Sequence, residues 1–229
     1  MSDAAVTQPP LLLASGSPRR AQLLTVAGFD LEIVTPDFAE KTDPQFTARE
    51  LTTWNAVGKG LSVARRHPNR AVLAGDTVVA LDREIIGKPR DFDDAVQILK
   101  KLSGRSHHVY SSVFVTKAGA GRGRLLCETS QVRFRKLNER EICDYLRKID
   151  PLDKAGAYAA QGHGAEIIAS IDGSYSNVVG LPMERTVEVL KRFGVRPLLN
   201  VSRRSPFPVE LQHAGGGVHA AKRGKGTRR

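Results

Sequence analysis

Apolar and polar positions along this chain change period repeatedly, and the changes predict alternating strands and helices. The apolar run Leu11–Ala14 gives way to the small residues Ser15, Gly16 and Ser17, as when a strand leaves a core for a tight loop. Ser17 followed by Pro18 predicts a helix start, with the serine hydroxyl as N-cap and proline in the first helical position. The stretch "FDLEIVTPDFAE" alternates as a second strand ending near Pro36. In "TARELTTWNAVGKGLSVARRH" apolar residues recur at helical spacing (Leu51, Trp54, Val57, Leu61, Ala64) and stop before Pro68. "AVLAGDTVVALDREIIGKPRD" predicts a buried strand, a break at Gly75-Asp76, a second strand, a turn at Asp82-Arg83 and a short returning strand.

The second half continues the mixture. "DFDDAVQILKKLSG" predicts a helix capped by Asp91, striped by Val96, Leu99 and Leu102, and closed by Ser103-Gly104. "HHVYSSVFVTK" and "LLCETSQVRFRKL" flank the turn "AGAGRG" as a long hairpin. "NEREICDYLRKID" carries an Asn138/Glu141 capping box and a stripe of Ile142, Leu146 and Ile149. "AGAYAAQGHGAEIIASIDGS" is expected to run as extended segments with glycine turns, and "LPMERTVEVLKRFG" as a last helix from Pro182 to Gly194. Without a strict βαβ repeat, an α/β body containing a long antiparallel element fits best.

Composition refines this picture at two points. The 229 residues are 41% hydrophobic and 26% charged, enough for a substantial core in an ordinary soluble domain. The net charge of +11 is unevenly placed: from Arg196 to Arg229 eight Lys/Arg face one acidic residue, which leaves +4 for the rest. The expected organisation is a flexible N-terminus over 1–10, a folded domain over 11–195 and a basic, disordered tail over 196–229. Only that tail offers attraction to nucleic acid or another acidic surface. Cys127 and Cys143 have no metal-like or redox-like spacing, the N-terminus lacks a secretory pattern, and no apolar run reaches the ~20 residues of a membrane span. A cytoplasmic protein with reduced thiols and no membrane contact is expected.

Three stretches carry candidate chemistry. Arg19 and Arg20 fall in the first turn of the opening helix, at the positive end of its dipole, where cations are disfavoured by ~0.3–1 kcal/mol each. Either the helix start merely faces water, or it is built for an anion that the backbone N–H groups and both guanidinium groups share. The sequence has no Walker-type loop. Asp76, between two apolar runs, is either a turn aspartate or a partly desolvated metal ligand or base, with Lys88 as a surface lysine or second phosphate contact. Together with the arginines these residues point to a polyphosphate and a divalent cation. Gln161, amid Gly and Ala, is either a loop residue or an amide set at the edge of a nucleobase. His107, His108 and His163 show no zinc spacing and are read as structural or exposed.

These segments, in this order, resemble the Maf family of nucleoside triphosphate pyrophosphatases from about Leu11 to Gly194. The resemblance is carried by "ASGSPRR", Glu40, Lys59 in "NAVGKG", "AGDTVV", "GKPRD", "LSG", "PLDKAGAYAAQG" and "DGSYSNVVGLP". It implies a twisted mixed β-sheet flanked by helices, in two lobes with a central cleft, similar to inosine triphosphate pyrophosphatases. It also implies that Asp76 is the catalytic proton acceptor, that Glu40 and Asp76 hold a divalent metal cation (Mg or Mn), and that Ser17, Arg20, Lys59 and Lys88 surround the triphosphate. Water would attack the α-phosphorus and release a nucleoside monophosphate and pyrophosphate. Arg19, Thr77 and Gln161 match the branch acting on dTTP and UTP, with modified pyrimidine nucleotides as further targets. A guanidinium and a neutral amide suit a uracil-type edge and disfavour the cationic base of 7-methyl-GTP, the substrate of another branch. Gly60 stands where the family more often has alanine, a departure expected to loosen the helix near Lys59. The family also implies a homodimer. The alternatives are a 7-methyl-GTP pyrophosphatase and a binding protein associated with cell division or nucleic acid.

Overall fold

The computed structural model describes residues 8–198. Of the expected flexible start (1–10) and basic tail (196–229), residues 1–7 and 199–229 lie outside the described residues. Seven strands form one mixed sheet in the order β2-β1-β3-β5-β6-β7, with β4 pairing off β3. Here β1 is Leu11–Ala14, β2 Leu31–Ile33, β3 Val72–Leu81, β4 Glu84–Ile86, β5 Ser106–Lys117, β6 Arg122–Phe134 and β7 Ile168–Asp172. The β2-β1-β3 end is parallel, and every other pairing is antiparallel. Among the described residues six helices accompany it: α1 Pro18–Val26, α2 Ala48–Arg66, α3 Phe92–Leu102, α4 Glu139–Leu146, α5 Tyr175–Val179 and α6 Met183–Arg192.

The uninterrupted apolar character of β1 has a direct cause: both of its faces are covered. Leu11 and Leu13 join the main core with Leu23 and Leu24 of α1, whereas Leu12 and Ala14 pack with Val72, Ala74, Val63 and Ala64. Burying each such leucine is worth roughly 1.5–3 kcal/mol. The helix α3 follows its sequence signals, with Asp91 accepting from the Asp94 N–H at 2.8 Å. The capping box of α4 and the long β5-β6 hairpin form as expected. The chain segments flanking this body also meet. Arg196 N–H donates to Gln8 Oε1 at 3.0 Å and Gln8 Nε2 donates back to the Arg196 carbonyl, on the side where β1 enters the sheet.

Four expectations are corrected. First, β3 does not break at Gly75-Asp76; it pairs with β5 continuously from Val72↔Thr116 to Ala80↔His108. A Cβ on Gly75 would lie 3.1 Å from Arg20 Nε, so this glycine admits a guanidinium rather than a turn. Second, β2 ends at Ile33, short of Pro36. Third, the stretch before β7 is compact rather than extended, with 3-10 turns at Ala155–Ala157 and Gly162–Glu166. Fourth, the exposed flank of α2 was misjudged: Trp54 is 49% exposed, and the buried face comprises Leu51, Thr52, Asn55, Ala56, Lys59, Gly60, Val63 and Ala64. Polar side chains occupy a face that the apolar stripe did not mark. No helix among the described residues is long and apolar enough to cross a membrane.

Candidate active site

The loop between β1 and α1 is organised around a serine hydroxyl. Ser15 Oγ accepts from the Ser17 N–H at 3.2 Å and from Arg20 Nη1 at 3.0 Å. Ser17 has the extended backbone of an N-cap and Pro18 follows it, but its side chain makes no capping hydrogen bond. That is a correction to the sequence reading. With Ser15 taking the local N–H, the Ser17 hydroxyl and the first-turn N–H groups of α1 are left to the cavity they border.

The two arginines part at this point. Arg20 turns inward and is 8% exposed. Its Nε donates to the Gly180 carbonyl at 2.9 Å and its Nη2 to Thr77 Oγ1 at 3.0 Å, completing three neutral partners with Ser15. Among the described residues no carboxylate forms an ion pair with it. Burial pulls the Arg20 guanidinium below its ordinary value, while the more distant Asp76 works against this. A buried cation surrounded by neutral acceptors is a place for an anion. Arg19 turns the other way: its Nη1 donates to Asp153 Oδ2 at 2.7 Å and its Nη2 to the Asp153 carbonyl at 3.3 Å. Thr77 does not stand free either, since its hydroxyl also shares a 2.9 Å hydrogen bond with Ser111 Oγ.

Two carboxylates, those of Glu40 and Asp76, line the same cavity as the arginines. Asn55 and Lys59, four residues apart, project from one face of α2. Lys59 Nζ donates to Asp76 Oδ1 at 2.8 Å and to Glu40 Oε1 at 3.0 Å. Asn55 Nδ2 donates to Asp76 Oδ2 at 3.2 Å, so both oxygens of this buried carboxylate are held. Burial pushes the Glu40 carboxyl up, but Lys59, aided by Lys88 and Arg20, outweighs it and holds the group below the usual carboxylate range.

The loop that carries Glu40 is fastened to the same helix. Asn55 Oδ1 accepts the Lys41 N–H at 2.9 Å and its amide returns a bond to the Lys41 carbonyl at 3.1 Å. The Lys41 ammonium stands 4.6 Å over the Trp54 ring, which explains why that tryptophan is outside the core. The two glycines beside Lys59 each admit a phenyl ring. A Cβ on Gly58 would fall 2.1 Å from a ring carbon of Phe38, and one on Gly60 would fall 2.7 Å from Phe114. Gly60 is thus filled space, not the loosened helix expected from the sequence.

The third wall is the segment from Asp153 to Gln161. Gly156 and Ala157 both adopt left-handed backbone, at φ 74 and 58, and Gly156 N–H donates to the Gly87 carbonyl at 2.9 Å. Tyr158 OH bonds to Nε2 of the fully buried His107 at 2.9 Å. His108 is half-buried on β5, and His163 is exposed and paired with Glu166 at 2.7 Å. Cys127 and Cys143 are half-buried free thiols.

One cavity of about 850 Å³ gathers every singled-out position: Ser17, Arg19, Arg20, Glu40, Lys59, Asp76, Thr77, Lys88 and Gln161. Lys88 lines it as an exposed side chain. The volume suits a drug- or nucleotide-sized ligand. Three residues escaped the sequence reading: Ser15, Asn55 and Asp153. For Asn55 a signal was available, because Thr52, Asn55 and Lys59 recur at helical spacing. Asp153 lies inside the segment "PLDKAGAYAAQG", but only the fold brings it to Arg19.

A mixed sheet that brings a buried, carboxylate-free guanidinium and a fixed carboxylate to one cavity defines a protein equipped to hold an anion beside a carboxylate. The family model of the Maf-like proteins matches residues 10–193, and the chain belongs to that family. It is 40% identical over 187 residues to a dTTP/UTP pyrophosphatase of Bacillus pumilus (strain SAFR-032), covering 82% of this chain and 98% of that protein. Over 190 residues it is 44% identical to a dTTP/UTP pyrophosphatase of Syntrophotalea carbinolica, covering 80% of this chain and 84% of that protein. Among solved structures, that of the Staphylococcus aureus Ham1 protein aligns with TM-score 0.42 and 13% identity over 81% of this chain and 97% of that one.

Proposed function

We propose that this chain is a nucleoside triphosphate pyrophosphatase that hydrolyses dTTP and UTP to the monophosphate and pyrophosphate. The observation that carries this reading is Arg20, a buried cation with only neutral partners, opening on the cavity that also holds Asp76. The family match and the names of the relatives support the reaction and the pyrimidine bases.

In this reading Arg20, Ser17 and the first-turn N–H groups of α1 bind phosphate oxygens. Lys88 adds a cation at the rim. Lys59 and Asn55 fix the Asp76 carboxylate, which accepts a proton from the attacking water. The water oxygen bonds to the α-phosphorus as the bond to the pyrophosphate oxygen breaks. Arg19 and Gln161 stand at the base, and Thr77 contributes through Arg20, whose guanidinium it holds. The donor set also fits a divalent cation. Two carboxylates converge from separate elements, and Glu40 Oε2 has no hydrogen-bond partner among the described residues. Mg²⁺ typically uses one or two carboxylates plus substrate phosphates, so Glu40 and Asp76 would hold it. When bound, the cation offsets charge on the phosphates and on the leaving pyrophosphate.

The test is pyrophosphate release from dTTP, UTP, CTP, GTP and 7-methyl-GTP, with Mg²⁺ or Mn²⁺, for wild type and Asp76→Asn. Turnover of dTTP and UTP is expected, falling about 10²–10⁴-fold in the variant. A preference for 7-methyl-GTP would overturn the base assignment, and full activity in Asp76→Asn would overturn the proton acceptor.

A further inference from the structure

Arg19 and Arg20 are neighbours at the head of one helix, yet only Arg19 has a carboxylate partner. Asp153 takes two N–H groups of Arg19, one on its carboxylate and one on its own carbonyl, which fixes the plane and position of the guanidinium. The other carboxylate oxygen is engaged by Lys154, whose side chain is largely buried. The Asp153 side chain is therefore held between two cations, and both side chains of the Arg19 pair border the cavity.

Asp153 also begins the segment that ends at Gln161, and this segment is pinned along its length. Gly156 N–H is bonded to the Gly87 carbonyl, a Cβ on Gly156 would lie 2.8 Å from Val79, and the Tyr158 hydroxyl is bonded to His107. A guanidinium tied to Asp153 is consequently tied in register with the Gln161 amide.

Resting on the nucleotide reading above, we infer that Asp153 is a positioning residue for base selection. It neutralises Arg19, draws it away from the triphosphate, and sets it at a fixed place relative to Gln161. Arg20 is left as the cation for the phosphates. Without Asp153, Arg19 is an unpaired cation free to follow the phosphates, and the base loses its fixed donor.

The experiment compares two probes by titration calorimetry: a dTTP analogue with an imido bridge between the α- and β-phosphorus, and inorganic triphosphate, which has no base. In Asp153→Asn the affinity for the analogue is expected to fall about tenfold, the scale of one charged hydrogen bond, while the affinity for triphosphate does not fall. Arg19→Gln should behave the same, the double variant should lose no more than either single one, and Asp153→Glu should recover part of the loss. Equal weakening of both probes, or additive losses in the double variant, would overturn the inference. Failure of the wild type to bind the analogue at all would instead strike the nucleotide reading.

Discussion

Asn55 ties the Asp76 carboxylate, the Glu40 loop and α2 together through one side chain. Its amide nitrogen reaches both Asp76 and the Lys41 carbonyl, and its oxygen takes the Lys41 N–H. The bond to Asp76 is buried and the two to Lys41 are part-buried, so deletion leaves the Asp76 oxygen unsatisfied at about 1–3 kcal/mol and the exposed Lys41 groups open to water. Asn55→Ala should thus lower the unfolding free energy and also let the Asp76 carboxylate and the Glu40 loop shift. A misplacement on the order of 1 Å costs about 10²-fold in turnover, which is the drop expected in kcat. Steady-state kinetics with a urea titration reads both; an unchanged kcat would show that Lys59 alone orients Asp76. The helical spacing of Thr52, Asn55 and Lys59 marked this face in the sequence, but an asparagine on a helix ordinarily faces water, so spacing alone did not single it out.

At the scale of elements, α2 shows why some of the chain was legible and some was not. Its start follows a capping box, with Thr47 Oγ1 accepting from the Glu50 N–H at 3.3 Å and Glu50 bonded back to the Thr47 N–H at 2.9 Å. Likewise α3, α4 and the long hairpin could be read, because local signals and burial agree there. The inward face of α2 could not. It gives up apolar positions to Asn55 and Lys59, and it holds Gly60 where helix propensity favours alanine. The Phe114 ring accounts for this, with a Cβ on Gly123 also falling 3.1 Å from it. Gly60→Ala gains about 1 kcal/mol of propensity but overpacks the ring at a cost of about 1–3 kcal/mol. A net loss of stability is expected in chemical denaturation. In a Phe114→Leu background the same substitution should become neutral or stabilising, and stabilisation in the wild type would refute the packing explanation. The β3 segment misled for a related reason: Gly75-Asp76 looks like a turn, but its glycine makes room for Arg20.

For the molecule as a whole, the third wall couples cavity to core through His107. This ring is fully buried, stands edge-on to Phe134 and Tyr158, and leaves Nδ1 without a partner among the described residues. Burial, with a smaller push from His108, lowers its pKa from 6.5 to about 4. The unfolded chain binds a proton here that the folded chain refuses. The stabilisation is therefore present above pH 6.5 and is lost as pH falls from about 6.5 to about 4. A shift of this size corresponds to about 3 kcal/mol in all. His107→Gln keeps a hydrogen-bonding side chain but cannot titrate, so its stability should fall less steeply across that window. Parallel slopes in urea midpoints for the two proteins would disprove the assignment.

The pairing of Gln8 with Arg196 gives the molecule an orientation as well as a closure. The path from β1 toward the cavity begins at this seam and ends at the Ser15-to-Arg20 loop, so the seam and this wall of the cavity lie at opposite ends of that strand. The polypeptide between them is a nearly closed ring. A surface, a label or a second protein tethered through residues 8 or 196 would hold the molecule at the end of β1 away from the Ser15-to-Arg20 loop.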